Sequence, residues 1–331
     1  MKSILVTGGA GYVGSILVRR LLERNYRVVC LDSLRFGGES LLDIWGHPGL
    51  AFHKVDITDH AAVKRVLAGE KNMEAVIHLA AIVGDPACRL EPELTHKTNW
   101  EAAVHLVEQA KAHRIPRFIF ASTCSNYGKM DQGSSHVTEN SLLAPVSLYA
   151  ELKVKFENHL LHGERVAGFH PTSLRFATVY GVSHRMRFDL TVNEFTKELA
   201  MGRPLVVFGE QFWRPYCHVA DFSRAMLNVL EAPVERVAYD VFNVGDTREN
   251  YTKAMLLDQL VKVFPRARIE RVQTKEDPRD YRVDFSKIVQ TLGFRISRTV
   301  PQGIQEIKDV VELGVITDPD HPRYYNTPQK K

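Results

Sequence analysis

Short unbroken runs of apolar residues alternate with stretches of helical periodicity through the first half of the chain. Ser3-Ile4-Leu5-Val6-Thr7 reads as a buried strand, followed by a helix from Gly11 to Arg24. Residues 27–32 and 51–56 give a second and a third strand, and a helix follows from Thr58 to Ala68. Residues 75–79 form a fourth strand, Asn99 to Ala112 a helix, and 117–121 a fifth strand. Tyr149 to His162 is helical, and 172–176 is a sixth strand. Strands apolar on both faces, alternating with helices, predict a doubly wound α/β fold whose parallel sheet is covered on both sides.

Past about Gly181 the pattern loosens. A basic loop, His184-Arg185-Met186-Arg187, leads into a helix from Leu190 to Met201, and residues 204–209 read as a strand of a smaller unit. A helix from Asp221 to Leu230 and a strand at 239–244 are expected to return to the large sheet. The expected division is a sheet domain over 1–180, with a returning segment at 220–250, and a smaller C-terminal α/β lobe over 181–331. That lobe takes in the Arg-rich stretch from Arg266 to Arg282 and an aperiodic, loosely held tail.

Composition narrows the function classes. A formal charge of +4 over 331 residues is small, and Lys and Arg do not cluster with aromatics, so a nucleic-acid partner is not expected. Cys30, Cys88, Cys124 and Cys217 stand far apart without metal-ligand spacing, which reads as reduced thiols and no metal site. The chain enters its first strand directly after Met1-Lys2, and its apolar runs are too short to span a bilayer. A soluble, cytoplasmic protein without a membrane partner is the expectation.

Between the first strand and first helix lies Thr7-Gly8-Gly9-Ala10-Gly11-Tyr12-Val13-Gly14, in which Gly9, Gly11 and Gly14 satisfy GxGxxG and Gly8, Gly11 and Gly14 satisfy GxxGxxG. A turn without side chains lets the backbone approach a diphosphate at a helix N-terminus, where amide donors and the helix dipole favour anions. Asp32 ends the second strand, where a carboxylate can accept from both ribose hydroxyls, with Ser33 next to it. That carboxylate favours NAD over NADP, while nearby Arg35 keeps an NADP alternative open. Asp56 and Ile57 are candidates for the adenine end; Asp56 has helix capping as its alternative.

Tyr149 and Lys153 stand four apart on a predicted helix and share a face. A neighbouring ammonium favours the phenolate, making tyrosine a usable base near neutral pH. Ala121-Ser122-Thr123 supplies hydroxyls at the C-terminal edge of the sheet, where open α/β folds bind ligands.

The motifs fall in one order: TGGAGYVG (7–14), LD (31–32), VDITD (55–59), HLAA (78–81), TN (98–99), FASTCSNYG (120–128), YAELK (149–153), LRFATVYG (174–181), VVFG (206–209), RPYCHVAD (214–221) and FNVG (242–245). In that order they resemble the extended short-chain dehydrogenase/reductase superfamily, in its NAD-dependent epimerase/dehydratase branch, over nearly the whole chain. The resemblance implies a Rossmann sheet with a smaller substrate lobe, a homodimer, NAD as cofactor and a nucleotide-diphosphate sugar as substrate. It implies Thr123, Tyr149 and Lys153 as catalytic. Tyr149 would take the proton of a sugar hydroxyl as the hydride of the same carbon passes to NAD, Thr123 would bond that oxygen, and Lys153 would also hold the nicotinamide ribose. Leu79, Ala80, Ala81, Asn99 and Ser122 fall where the family lines the cofactor, and Phe176 at its nicotinamide end; core packing is the alternative for Ala80, Ala81 and Phe176. Arg214 and Arg279 match phosphate-clamping positions, with Arg282 an alternative to Arg279. Thr178 and Thr191 fall at substrate positions. Arg185 and Arg187 either reach the ligand or form a solvated loop.

Departures from the family's patterns bear on the reaction. Its 4,6-dehydratases carry Thr-Asp-Glu where this chain has Thr123-Cys124-Ser125, which disfavours elimination of water. Ser125, not Cys124, occupies the place of the cysteine used by the 3,5-epimerase of GDP-mannose, and Cys124 reads as a packed residue. A 4-epimerase needs only the Thr, Tyr, Lys set and a retained NAD. Yet the Asn of the UDP-galactose 4-epimerase LRxxN motif is Thr178 here, its tandem Asn falls near Leu190-Thr191, and its Lys after the HLAA-like motif is Val83. The favoured expectation is a nucleotide-sugar 4-epimerase. The alternatives are another NAD-linked nucleotide-sugar enzyme (a dehydrogenase, 4-keto reductase or decarboxylating synthase) and an NAD-binding sensor without catalysis.

Overall fold

The computed structural model describes residues 1–130, 135–273 and 279–327. Part of the Arg-rich stretch (274–278) and the end of the tail (328–331) lie outside the described residues. Strands run β1 Ser3–Thr7, β2 Arg27–Asp32, β3 Leu50–Lys54, β4 Met73–His78, β5 Arg117–Thr123, β6 His170–Phe176, β7 Thr178–Tyr180, β8 Leu205–Phe208, β9 Trp213–His218, β10 Asp240–Val244, β11 Asn250–Thr252 and β12 Ile269–Val272. Helices run α1 Gly14–Glu23, α2 His60–Gly69, α3 Asp85–Leu90, α4 Pro92–His96, α5 Ala103–Ala112, α6 Leu148–His162, α7 Thr191–Ala200, α8 Val219–Glu231, α9 Lys253–Val263, α10 Ser286–Leu292 and α11 Val300–Glu312.

Seven strands make one parallel Rossmann sheet in the order β10-β6-β5-β4-β1-β2-β3. The twofold period of a strand divides the apolar runs between its faces. Ile4, Val6, Val28 and Cys30 pack with Leu17, Val18 and Leu21 of α1 and Ala225 and Met226 of α8. Leu5, Val29, Leu31 and Val76 pack with Val63 of α2, Leu106 of α5 and Phe156 of α6. Strand order reverses between β1 and β4, which opens a crevice beyond their carboxyl ends.

The second half adds a three-stranded sheet, β11-β9-β7, and a parallel pair, β12-β8. A separate core joins Tyr180, Phe188, Val192, Leu257, Val300 and Ile304 and admits Tyr12 from the glycine turn. Strand β9 was not predicted, because Pro215 inside it argues against a strand. The first helix starts at Gly14 rather than Gly11, since the preceding glycines turn the chain. The helix expected from Asn99 opens as a wider π turn over Lys97–Ala102 before α5 begins. No helix among the described residues is long and apolar enough to cross a membrane, and no cluster of metal-ligating side chains occurs among them.

Candidate active site

A cleft of about 510 Å³ opens at the strand-order reversal and runs from the glycine turn to the second-half sheet. Gly8, with φ +75°, and Gly14 allow the turn to close: a Cβ on Gly14 would lie 2.1 Å from the Gly8 carbonyl, and one on Gly8 2.9 Å from the Ala80 amide. Gly11, Tyr12 and Val13 line the same end. The Asp32 carboxylate accepts from the amides of Ala10 (3.0 Å) and Leu34 (2.8 Å). Burial raises its pKa against those bonds and the nearby charge of Arg185. Arg35 is paired with Glu91, which occupies the cation offered as an NADP determinant. Ser33, Asp56 and Ile57 line the cleft. Asp56 accepts from the amide and hydroxyl of Thr58, and the α2 cap is Asp59, bonded to the Ala62 amide at 2.9 Å.

Leu79, Ala80, Ala81 and Phe176 also line the cleft, and Phe176 stacks on Phe222 with ring centres 4.0 Å apart. Asn99 is not among the lining residues. Its amide accepts from Ile82 N (2.8 Å) and donates to Ile82 O (2.9 Å), so both ends are taken up in holding the backbone after Ala81. These bonds tie its side chain to the wall beside Ala80 and Ala81.

That wall also rests on a buried histidine. Thr7 Oγ1 accepts from the amides of Leu79 and Ala80, which leaves its own proton for His78 Nδ1 at 2.8 Å. Burial, aided by Lys153, lowers the His78 pKa from 6.5 to about 3. A histidine kept neutral stabilises the fold fully above its unfolded pKa, and that stability is lost as pH falls toward the folded value. At pH 5.5 the unfolded chain gains about 1.4 kcal/mol from protonating this residue. Urea titrations at pH 7.5 and 5.5 should therefore show a wild-type loss larger by about that amount than the loss in His78→Gln. Equal losses in the two proteins would mean that His78 is protonated in the fold.

At the centre, β5 and α6 bring Ser122, Thr123, Tyr149 and Lys153 to the cleft. Ser147 caps α6 by accepting from the Ala150 amide, which fixes the start of the helix just before Tyr149. Burial, with Cys88 and Asp85 adding to it and Thr123 acting the other way, drives the Tyr149 phenol above the usual value. Lys153 is 5% exposed. It donates to the Ala121 carbonyl at 2.6 Å and lies 5.8 Å from the centre of the Tyr149 ring. Burial brings its pKa down to about 7, while Cys88 and Glu157 act the other way.

At the far end, Thr178, Thr191, Arg214 and Arg279 line the cleft. Arg214 donates to the carbonyls of Trp213 (2.6 Å) and Arg279, and Arg279 pairs with Asp85 at 2.9 Å. Ser125, Tyr216 and Tyr281 face the cleft without having been singled out for it. Cys124 turns away, its thiol donating to the Arg175 carbonyl at 3.2 Å. The solvated-loop alternative for Arg185 and Arg187 fails: they are 7% and 9% exposed and both line the cleft. Among the described lining residues the carboxylates are Asp32 and Asp56.

A Rossmann sheet with a glycine turn, an acid at the end of β2 and a Tyr-Lys pair in one cleft defines a nicotinamide-dependent enzyme of the extended short-chain dehydrogenase class. The chain belongs to the NAD dependent epimerase/dehydratase family, whose model matches residues 4–245, and its cofactor is NAD. It is 26% identical over 341 residues to a UDP-glucose 4-epimerase of Lactobacillus helveticus, covering 97% of this chain and 98% of that one. It is 31% identical over 334 residues to a dTDP-glucose 4,6-dehydratase of Neisseria meningitidis serogroup B, covering 92% of each. The structure of Thermotoga maritima UDP-glucose 4-epimerase with UDP-glucose superposes with a TM-score of 0.84 at 27% identity, covering 96% of this chain and 100% of that one.

Proposed function

We propose that this protein is a nucleotide-sugar epimerase that inverts C4 through a 4-keto intermediate. The observation carrying this reading is the lining of the cleft: Thr123, Tyr149 and Lys153 face it, while the carboxylates among its described lining residues are Asp32 at the end of β2 and Asp56 just after β3. Elimination of water across the sugar requires an acid and a base beside the reacting carbons. With Cys124 turned into the core and Ser125 in the other position, neither is supplied from the β5 loop.

The side-chain-free cradle at Gly8 and Gly14, the Asp32 carboxylate and the buried Lys153 fit the dinucleotide. NAD, when bound, takes up a hydride and returns it. Tyr149 accepts the proton of the C4 hydroxyl and later donates it back. Thr123 bonds the same oxygen, keeping it in line with the phenol. The Lys153 ammonium stabilises the phenolate and also suits the nicotinamide ribose. Arg214 and Arg279 suit the substrate diphosphate, with Thr178 and Thr191 lining its path. The enzyme is read as a homodimer, as its family resemblance implies, and as cytoplasmic, the expectation from its sequence.

The test is turnover without added cofactor. Nucleotide sugars of UDP, GDP, CDP, ADP and dTDP are screened by thermal shift, because a ligand selective for the folded state raises the melting temperature. Those that stabilise are incubated with the purified enzyme. Interconversion of a C4 epimer pair with no net NADH is expected. Accumulation of NADH in step with product would replace the epimerase reading with a dehydrogenase, and a flat thermal screen would remove the nucleotide sugar.

A further inference from the structure

The wall of the cleft contains a buried cation whose hydrogen bonding the described residues do not complete. Arg185 is 7% exposed, and its Nε and Nη2 reach no acceptor among the described residues. Its guanidinium carbon lies over the ring of Phe36, 4.2 Å from the ring centre, in the loop after β2. The charges and polar groups around it are Arg187, Asp189, Asp32 and Tyr12. Arg187 is committed to Asp189 through two bonds of 2.9 and 2.8 Å. Asp32 accepts from the Ala10 and Leu34 amides. A buried guanidinium keeps its proton, and leaving two of its nitrogens without acceptors is unfavourable. An anion in the cleft removes that cost.

The loop carrying Arg185 is fastened to the glycine turn. Ser183 Oγ donates to the Tyr12 carbonyl at 2.6 Å and lies 3.2 Å from Ser15 Oγ on α1. Tyr12 donates its hydroxyl to the Gly181 carbonyl, and Asn193 bonds both the Gly181 amide and the Arg187 carbonyl. The arginine is thereby held at the N-terminal end of α1, where amides and helix dipole already favour a phosphate. Arg214 and Arg279, the candidates for the substrate diphosphate, belong to β9 and the segment paired with Asp85. Asp32, beside Arg185, disfavours an additional phosphate on the adenosine ribose.

We infer that Arg185 is a cofactor-binding residue, its guanidinium pairing with the diphosphate of NAD held at the glycine turn. This rests on NAD occupying that turn and adds a grip from outside the nucleotide-binding half. Release of the cofactor then requires breaking a contact made by the loop after β7. That suits a reaction in which NAD is regenerated in place and has no need to leave.

Calorimetric titration of nucleotide-free, full-length wild type, Arg185→Gln and Arg185→Lys with NAD, ADP-ribose, adenosine, NADP and UDP tests it. In Arg185→Gln the affinity for NAD and ADP-ribose should fall roughly tenfold to a hundredfold, the range of a charge-assisted bond. Adenosine and UDP affinities should not change, and Arg185→Lys should recover part of the loss. The nucleotide-free Gln variant should melt no lower than wild type, since a buried cation without partners has been removed. Unchanged NAD affinity with a lowered melting temperature would make Arg185 structural and overturn the inference. A loss confined to UDP would assign it to the substrate, and a greater loss for NADP than for NAD would assign it to a 2′-phosphate; either overturns it as well. Wild type that binds no NAD would instead overturn the cofactor reading on which the inference stands.

Discussion

Tyr149→Phe is expected to lower kcat by roughly 10²–10⁴-fold, the contribution typical of a positioned acid/base, while leaving the fold and the NAD content intact. The substitution removes one oxygen and keeps the ring that forms part of the cleft wall. That oxygen is the proton carrier, and it faces the same cleft as the Thr123 hydroxyl. Burial, Cys88 and Asp85 keep the free phenol protonated, which requires a cation to release it. Lys153, whose pKa is brought down to about 7 by burial, is the side chain placed to do so. Lys153→Met should accordingly show a comparable fall in kcat together with weaker NAD binding, whereas Tyr149→Phe should show the kcat fall alone. Steady-state kinetics on an interconverting sugar pair, with bound NAD measured after acid release, separates the two. A Tyr149→Phe enzyme that retained most of its kcat would show that the proton leaves by another route, and the assignment of the reacting end of the cleft would go with it.

The parts of this site that the sequence carries openly are those written in short spacings. The glycine turn spans consecutive residues between one strand and one helix, Asp32 ends the next strand, and Tyr149 and Lys153 are one helical turn apart. The parallel sheet is equally open, because Ile4, Leu5 and Val6 are apolar regardless of which face each joins. What escaped depends on distant partners or very short elements. Strands β7 and β11 have three residues each, too few for a period, and β9 carries a proline. The burial of Arg185 follows from the bond between Tyr12 and Gly181, which are 169 positions apart. The engagement of Arg279 by Asp85 spans 194 positions. A basic loop has the same composition whether it faces water or a cleft, so only the packing of Tyr12 into the second core tells the two apart.

The largest effect on stability is expected at the back of α6, in Arg175→Met. Glu157 lies one turn beyond Lys153 and is 2% exposed, and Arg175 on β6 is 5% exposed. The carboxylate accepts from Arg175 Nε at 3.0 Å and Nη2 at 2.6 Å, and from Ser173 Oγ at 2.7 Å. The guanidinium also donates to Tyr127 Oη (3.0 Å) and to the Glu139 carbonyl (3.1 Å). Removing the arginine leaves a buried carboxylate without its counter-charge, a loss of about 3–5 kcal/mol. Removing both charges, as in Glu157→Leu with Arg175→Met, restores much of that, because an apolar pair of similar volume carries no desolvation cost. Chemical denaturation of the two single variants and the double variant gives the coupling directly. Additive losses would mean that the two side chains do not depend on each other. The helix that this pair anchors to β6 is the one that presents Tyr149 and Lys153. In Arg175→Met assayed well below its melting temperature, kcat should therefore fall with KM little changed, since Arg214 and Arg279 at the other end of the cleft are untouched. A KM effect without a kcat effect would place the disturbance in the substrate end and detach the buried pair from the chemistry.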